Sequence, residues 1–230
     1  MTIDETTIRN RAAEIQRRIH DAATARGRTG ADVTLVAVTK TVGRAAVDAA
    51  YAAGLRAFGE NRVPDARAKF AEALPPDSRL HLIGQLQTNK ASHAVDLFDV
   101  VESVDRPSLI AELEKQGQRR ARVLSVLLQV NVAGEEQKAG CAVEDVDALV
   151  AQILATQHLH LDGLMTIAPL VDDPEEARPV FVALRELRDR LSRERPDLTL
   201  GVLSMGMSND FEVAVQEGAT HVRVGRALFA

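Results

Sequence analysis

The sequence predicts an α/β fold, a (β/α)₈ barrel of the TIM type with an additional N-terminal helix, and three observations carry that expectation. Short β-branched runs alternate with amphipathic helical stretches about eight times with no break in composition. The 230 residues suit one such barrel, so residues 1–230 read as a single domain. Aromatic residues are scarce, with no Trp and Tyr51 as the one tyrosine, so the core must be built from Val, Leu, Ile and Ala, as in a buried parallel sheet. An open doubly wound sheet is the alternative arrangement of the same units.

The elements follow in order. From Asp4 to Arg26, residues Ile8, Ala12, Ile15 and Ile19 fall on one face at helical spacing, which predicts an amphipathic helix. After Gly27 and Gly30, Val33-Thr-Leu-Val-Ala-Val38 reads as the first strand, ended by Thr39-Lys40 and followed by a helix from Ala45 to Ala53 that stops at Gly54. Further strands are expected at Arg56 to Phe58, Leu80 to Ile83, Phe98 to Glu102, Val123 to Val132, Leu159 to Met165, Thr199 to Leu203 and His221 to Val224. Between them, helices are expected at Pro64 to Leu74, Asn89 to Leu97, Pro107 to Gln118, Val143 to Thr156, Pro174 to Arg193 and Asn209 to Gln216. Little sequence follows the eighth strand, so the N-terminal helix is expected to fill the gap between the last strand and the first.

Composition excludes several function classes. A net charge of −5 and 3% aromatic residues leave neither a basic surface nor a stacking platform for nucleic acid. Cys141 is the lone cysteine and has no neighbouring Cys or His at metal-ligand spacing, which fits a reducing compartment. No apolar run approaches the roughly 18 residues of a membrane span, and the N-terminal segment lacks a signal peptide's apolar stretch. A cytoplasmic protein without membrane or nucleic-acid partners is expected.

In such a barrel the chemistry gathers where the strands end and the βα loops begin. Lys40 stands at that end of the first strand, and counting by two from Val36 and Val38 places it on their side, toward the interior. Desolvation there would disfavour its ammonium form and leave a free amine, the nucleophile that a carbonyl compound needs; the alternative is a loop lysine in solvent. Ser204-Met-Gly-Met-Ser-Asn-Asp210 reads as a strand-to-helix turn with Ser208 or Asn209 as N-cap, and free N–H groups at such a helix start suit a phosphate. In His221-Val-Arg-Val-Gly225, Arg223 points inward if Val222 and Val224 face the helices. A buried guanidinium cannot lose its proton and needs an acceptor, either a neighbouring carboxylate or, given Lys40 and the phosphate turn, a pyridine nitrogen. Glu60, Glu102 and Asp162 form no acid/base couple by spacing, and His81, His158 and His160 read as satisfied structural histidines, so no metal ligand and no catalytic pair is assigned. The segment Gly134 to Gly140 reads as a mobile loop of the active face with solvated charges.

Several motifs in order carry a resemblance. Val36-Ala-Val-Thr-Lys40, Phe58-Gly-Glu-Asn61, His81-Leu-Ile-Gly-Gln-Leu-Gln-Thr-Asn-Lys90, Leu203-Ser-Met-Gly-Met-Ser-Asn-Asp210 and Val222-Arg-Val-Gly225 resemble the pyridoxal phosphate homeostasis protein family, whose barrel is shared with the N-terminal domain of alanine racemase. The resemblance implies pyridoxal 5'-phosphate as cofactor, an internal aldimine on Lys40 and a contact from Arg223 to the pyridine nitrogen. It also implies a phosphate held by Ser208 with the backbone near Met207, Gly225 and Arg226, and Asn61 beside the ring. Arg226 stands where the family usually has Thr or Ser, and either serves as a charged phosphate ligand or points away.

An Arg donor leaves the pyridine unprotonated and the cofactor a poorer electron sink, which disfavours chemistry at an amino-acid α-carbon. Alanine racemase completes its site with a tyrosine from a second domain, whereas Tyr51 lies in a predicted helix away from the strand ends. The residues therefore read as a cofactor-binding protein of intracellular homeostasis in preference to an enzyme, with apoenzymes that use the cofactor as candidate partners and a monomer or weak oligomer as its state. An amino-acid racemase and a Schiff-base aldolase acting on a phosphosugar are the competing readings.

Overall fold

The structure, a computed structural model, describes residues 4–135 and 139–230. Glu136, Gln137 and Lys138, within the segment expected to be a mobile loop, lie outside the described residues. The chain opens with helix α1 (Glu5–Thr24). Then come β1 (Thr34–Val38), α2 (Arg44–Ala52), β2 (Ala57–Glu60), α3 (Val63–Lys69), β3 (Arg79–Leu82), α4 (Ala91–Leu97), β4 (Val100–Val104) and α5 (Pro107–Arg120). The second half runs β5 (Leu124–Gln129), α6 (Val146–Leu154), β6 (Leu159–Met165), α7 (Arg178–Glu194), β7 (Val202–Met207), α8 (Phe211–Gln216), β8 (His221–Val224) and the single turn α9 (Arg226–Phe229). All eight strands are parallel and pair in sequence order, and β8 closes the ring onto β1, with Val36 opposite Arg223. The closed barrel, not the open sheet, is the fold.

Strand alternation sorts side chains into two layers. Leu35, Ala37, Phe58, Leu80, Val222 and Val224 pack outward against the helices in one continuous core. Val100, Leu127 and Met165, with the partly buried Val202, form a small separate cluster. Helix α1 buries Ile8, Ala12, Ile15, Ile19, Ala22 and Ala23, the face expected from its period, and its N-cap Asp4 accepts from the Thr7 N–H at 2.9 Å. It packs between α2, α8 and α9, so it seals the gap between β8 and β1 as expected. Arg18 bonds Glu212 of α8, and Arg11 donates to the Leu228 carbonyl of α9.

Three of the boundaries that differ from expectation have a local cause. Strand β7 lies later than the expected Thr199–Leu203, because its pairing with β6 begins at Val202 opposite Gly163. Its register against β8 shifts between Ser204 and Met207, and Gly206 sits in this irregularity at φ 92°, a conformation that side-chain-bearing residues rarely adopt. Helix α8 consequently starts at Phe211 with Asp210 as N-cap, not at Ser208 or Asn209. Helix α3 ends at Lys69, well before Leu74; Phe70 turns into the core and Leu74 precedes Pro75, which disfavours helical backbone there.

Candidate functional site at the C-terminal mouth of the barrel

A cavity of about 600 Å³ opens at the strand ends, where the βα loops meet. Lys40, Asn61, Met207, Ser208, Arg223, Gly225 and Arg226, drawn from the ends of β1, β2, β7 and β8, all line it. Ile167, Pro169, Leu170 and Val171 form an apolar wall beyond β6.

Lys40 follows Thr39, whose position is pegged from below. The Thr39 hydroxyl donates to Glu60 Oε1 at 2.6 Å, and Lys69 Nζ bonds both that oxygen and the Thr39 carbonyl at 2.6 Å. Glu60 and Thr39 are fully buried, so the end of β1 is fixed where Lys40 begins. Lys40 itself is exposed and makes no hydrogen bond or ion pair with a described residue. This corrects the expected interior placement: β1 ends at Val38, so Lys40 stands on the rim, on the cavity side, and the protein's own packing does not desolvate its amine.

Asn61 is set by close backbone approach. A Cβ at Gly84 would lie 2.2 Å from the Asn61 carbonyl oxygen, so the Ile83-Gly84 corner of the His81 to Lys90 motif admits only glycine if Asn61 is to keep its place. Across the cavity, the backbone N–H groups of Ser208, Asn209 and Gly225 have no hydrogen-bond partner among the described residues, and all three residues line the cavity. The Met207 N–H differs, being capped by Asp210 Oδ1 at 2.6 Å. Ser208 Oγ accepts weakly from the Ala227 N–H at 3.4 Å, and exposed Arg226 bonds Asn209 Oδ1 at 3.2 Å while lining the cavity. Unbonded N–H groups beside a cavity are donors for an anion.

Arg223 is the buried member. Its Nη1 donates to Ser204 Oγ at 2.6 Å and its Nη2 to the Thr166 carbonyl at 2.7 Å. Ser204 Oγ in turn bonds Glu102 Oε2 at 2.6 Å, and His81 Nδ1 bonds Glu102 Oε1 at 2.7 Å. Burial pushes the Glu102 carboxyl up, but His81, Arg223 and Ser204 outweigh it and bring it down to about 2. Burial pulls the Arg223 guanidinium below its ordinary value, opposed by Glu102 and Asp210. Of the two acceptors considered from sequence, the carboxylate is there, 4.0 Å away through a serine bridge, and Arg223 also lines the cavity.

His81, His158 and His160 are each satisfied by a carboxylate, Glu102, Glu114 and Asp162, as expected for structural histidines. Among the described residues no group of His, Cys, Asp and Glu could hold a metal ion. Burial pushes the Cys141 thiol up to about 12, which leaves it inert. No helix among the described residues is long and apolar enough to cross a membrane.

Ser204, Glu102, Thr166 and Gln129 were not singled out from sequence as site residues. Gln129 lines the cavity, donates to the Ala139 carbonyl at 3.2 Å and leaves its buried Oε1 without a partner among the described residues. The signal for Glu102 was present: a carboxylate inside Val100-Val-Glu-Ser-Val104, a strand buried on both faces, demands a partner.

Comparison with known proteins covers almost the whole chain. Residues 13–230 match the family model of the alanine racemase N-terminal domain. The chain is 41% identical over 219 residues to the pyridoxal phosphate homeostasis protein of Aquifex aeolicus, covering 95% of this chain and 96% of that one. It is 44% identical over 223 residues to the protein of the same name from Pseudomonas aeruginosa, covering 97% and 95%. Among solved structures, PipY of Synechococcus elongatus PCC7942 with PLP bound superposes with a TM-score of 0.85 at 40% identity, covering 97% of this chain and 100% of that one. Alanine racemase of Corynebacterium glutamicum, at 18% identity and a TM-score of 0.71, shares the fold over 99% of this chain and 61% of its own.

Proposed function

This chain belongs to the pyridoxal phosphate homeostasis protein family, and we propose that it binds pyridoxal 5'-phosphate at the C-terminal mouth of its barrel, as a Schiff base on Lys40, and holds it without substantial turnover. The observation that carries the proposal is convergence. One cavity brings together a buried guanidinium with a lysine amine and three backbone N–H groups that have no partner among the described residues. That donor set fits the cofactor: an amine for the aldehyde, a fixed cation for the ring nitrogen and N–H groups for the phosphate. In this reading Ser208, Gly225 and Arg226 serve the phosphate, with Met207 beside it, and Asn61 flanks the ring. PipY, at 40% identity, is a relative with PLP bound.

When bound, the cofactor supplies an aldehyde carbon and a ring that can accept electrons. Arg223 can donate a hydrogen bond to the ring nitrogen but cannot surrender a proton, which weakens that electron sink. Tyr51 lies in α2 with its hydroxyl on Asp77, far round from the cavity lining, so it supplies no acid or base there. Storage and delivery follow better than turnover. We place the protein in the cytoplasm as one cofactor-binding domain over residues 1–230, acting as a monomer or weak oligomer, with apoenzymes that use the cofactor as recipients; the buried Cys141 thiol is in keeping with a reducing compartment.

Purified protein supplied with pyridoxal phosphate should develop visible absorbance, and borohydride should fix the cofactor to Lys40, as read by peptide mass. A colourless protein that borohydride does not label would overturn the proposal. Exchange of amino-acid α-protons with deuterated solvent, at rates well above those of free cofactor, would replace it with a racemase reading.

A further inference from the structure

The mechanism of holding leaves three buried polar residues without a role: Ser204, Glu102 and His81. They form one relay with a fixed direction. Glu102 is held ionised, so it can only accept; His81 Nδ1–H must donate to Oε1, and the Ser204 hydroxyl must donate to Oε2. With its hydrogen directed at Glu102, Ser204 Oγ accepts from Arg223 Nη1. The residues come from four strands, β3, β4, β7 and β8, and the relay crosses the barrel interior from the Arg223 side of one mouth to His81, which lines the cavity at the other.

We propose that Ser204 and Glu102 are positioning residues, which hold Arg223 so that its remaining N–H donors serve a ligand in the C-terminal cavity. The inference rests on the reading of that cavity as a pyridoxal phosphate site. Without the Ser204 hydroxyl, nothing separates the guanidinium from Glu102, already only 4.0 Å away, and the unbridged pair can close into a direct ion pair that turns donors from the cavity. Thr166 holds Nη2 through its carbonyl, and its own hydroxyl is committed to the Val130 carbonyl at 2.8 Å, so it cannot replace the serine. The relay therefore governs one property, the preference for a ligand whose ring carries a nitrogen acceptor.

That property is measurable in the full-length protein with two probes, pyridoxal phosphate and its 1-deaza analogue, in which a carbon replaces the ring nitrogen. The wild type should prefer pyridoxal phosphate by about tenfold, the value of one charge-assisted hydrogen bond to a buried donor. Ser204→Ala should bring the two dissociation constants to within about twofold of each other, while Ser204→Thr, which keeps the hydroxyl, should restore most of the preference. If Ser204→Ala does not fold, Ser204→Cys keeps the volume with a poor acceptor and should lower the preference in the same direction. Equal weakening of both probes by these variants, with the tenfold ratio intact, would overturn the relay and leave the cofactor site standing. Failure of the wild type to bind either probe would instead overturn the site itself, and the relay with it.

Discussion

The two mouths of the barrel hold cavities of similar size, about 600 Å³ at the C-terminal end and about 520 Å³ at the N-terminal end, yet their charges are used differently. At the N-terminal mouth the ionisable groups are mostly matched to one another: Arg56 with Asp77, Asp162 with His160, and His81 with Glu102. Arg79 is the exception, a cation there with no partner among the described residues. At the C-terminal mouth Lys40 and three backbone donors have no partner among the described residues, and the buried Arg223 is held by Ser204 from beneath. Volume does not mark a binding site; donors held ready but unanswered do.

That contrast can be broken or sharpened experimentally. The largest effect belongs to Lys40→Ala, which should abolish borohydride-fixable cofactor entirely, whereas Arg79→Ala at the opposite mouth should leave fixation unchanged when both are read by intact mass. Arg223→Met removes the guanidinium beside the buried Glu102 carboxylate and should cost about 3 kcal/mol, seen as a melting temperature lower by on the order of 10 °C. Arg56→Met breaks an exposed pair of the N-terminal mouth and should cost less than about 1 kcal/mol. Next in size, pyridoxal phosphate at about a hundred times its dissociation constant should stabilise the wild type by about 2.7 kcal/mol. Lys40→Ala should lose most of that gain, and Arg79→Ala none.

Two buried groups extend the contrast to pH dependence. Burial holds the His221 imidazole at about 4, below the ordinary 6.5, and Glu102 is held at about 2, below 4.5. Both folded values are depressed, so in each case the unfolded chain takes up the proton first as pH falls. The His221 contribution is fully present above pH 6.5 and fades towards pH 4; that of Glu102 is present above 4.5 and fades towards 2. His221→Asn should therefore flatten the loss of stability in the upper window and leave the lower one in place, measured by urea unfolding at a series of pH values. An unchanged slope between pH 6.5 and 4 would show that His221 is not buried as a neutral ring.

Much of this was readable from sequence, for a definite reason. The strand-helix alternation, the buried face of α1 and the inward turn of Arg223 depend on local periods of 2 and 3.6, which the chain displays openly. So does the placement of Lys40 on the cavity side, although its exposure depends on where β1 ends, which period alone does not give. The late start of β7 follows from its pairing with β6 at Val202, while its late end and the late start of α8 go with the irregular ladder around Gly206, which shifts the count by which inward and outward residues are told apart. Ser204 and Glu102 were passed over because they are 102 positions apart and meet only when β4 and β7 face one another across a closed ring. Pairing across the interior has no local signature; what the sequence offered was a demand for a partner, unanswered until the fold supplied one.

The joint between β8 and β1 has a consequence of its own. Lys40 follows one of these strands and Arg223 lies on the other, with Arg223 opposite Val36, so the amine and the guanidinium of the proposed site sit on either side of the junction that joins the chain's last strand to its first. A nascent chain that has not yet produced β8 presents Lys40 without its counterpart and leaves the edge of β1 open beneath α1. On the proposed binding mode, loading would follow completion of the ring, and a cofactor held from both strands would act as a clasp that resists breathing at this junction.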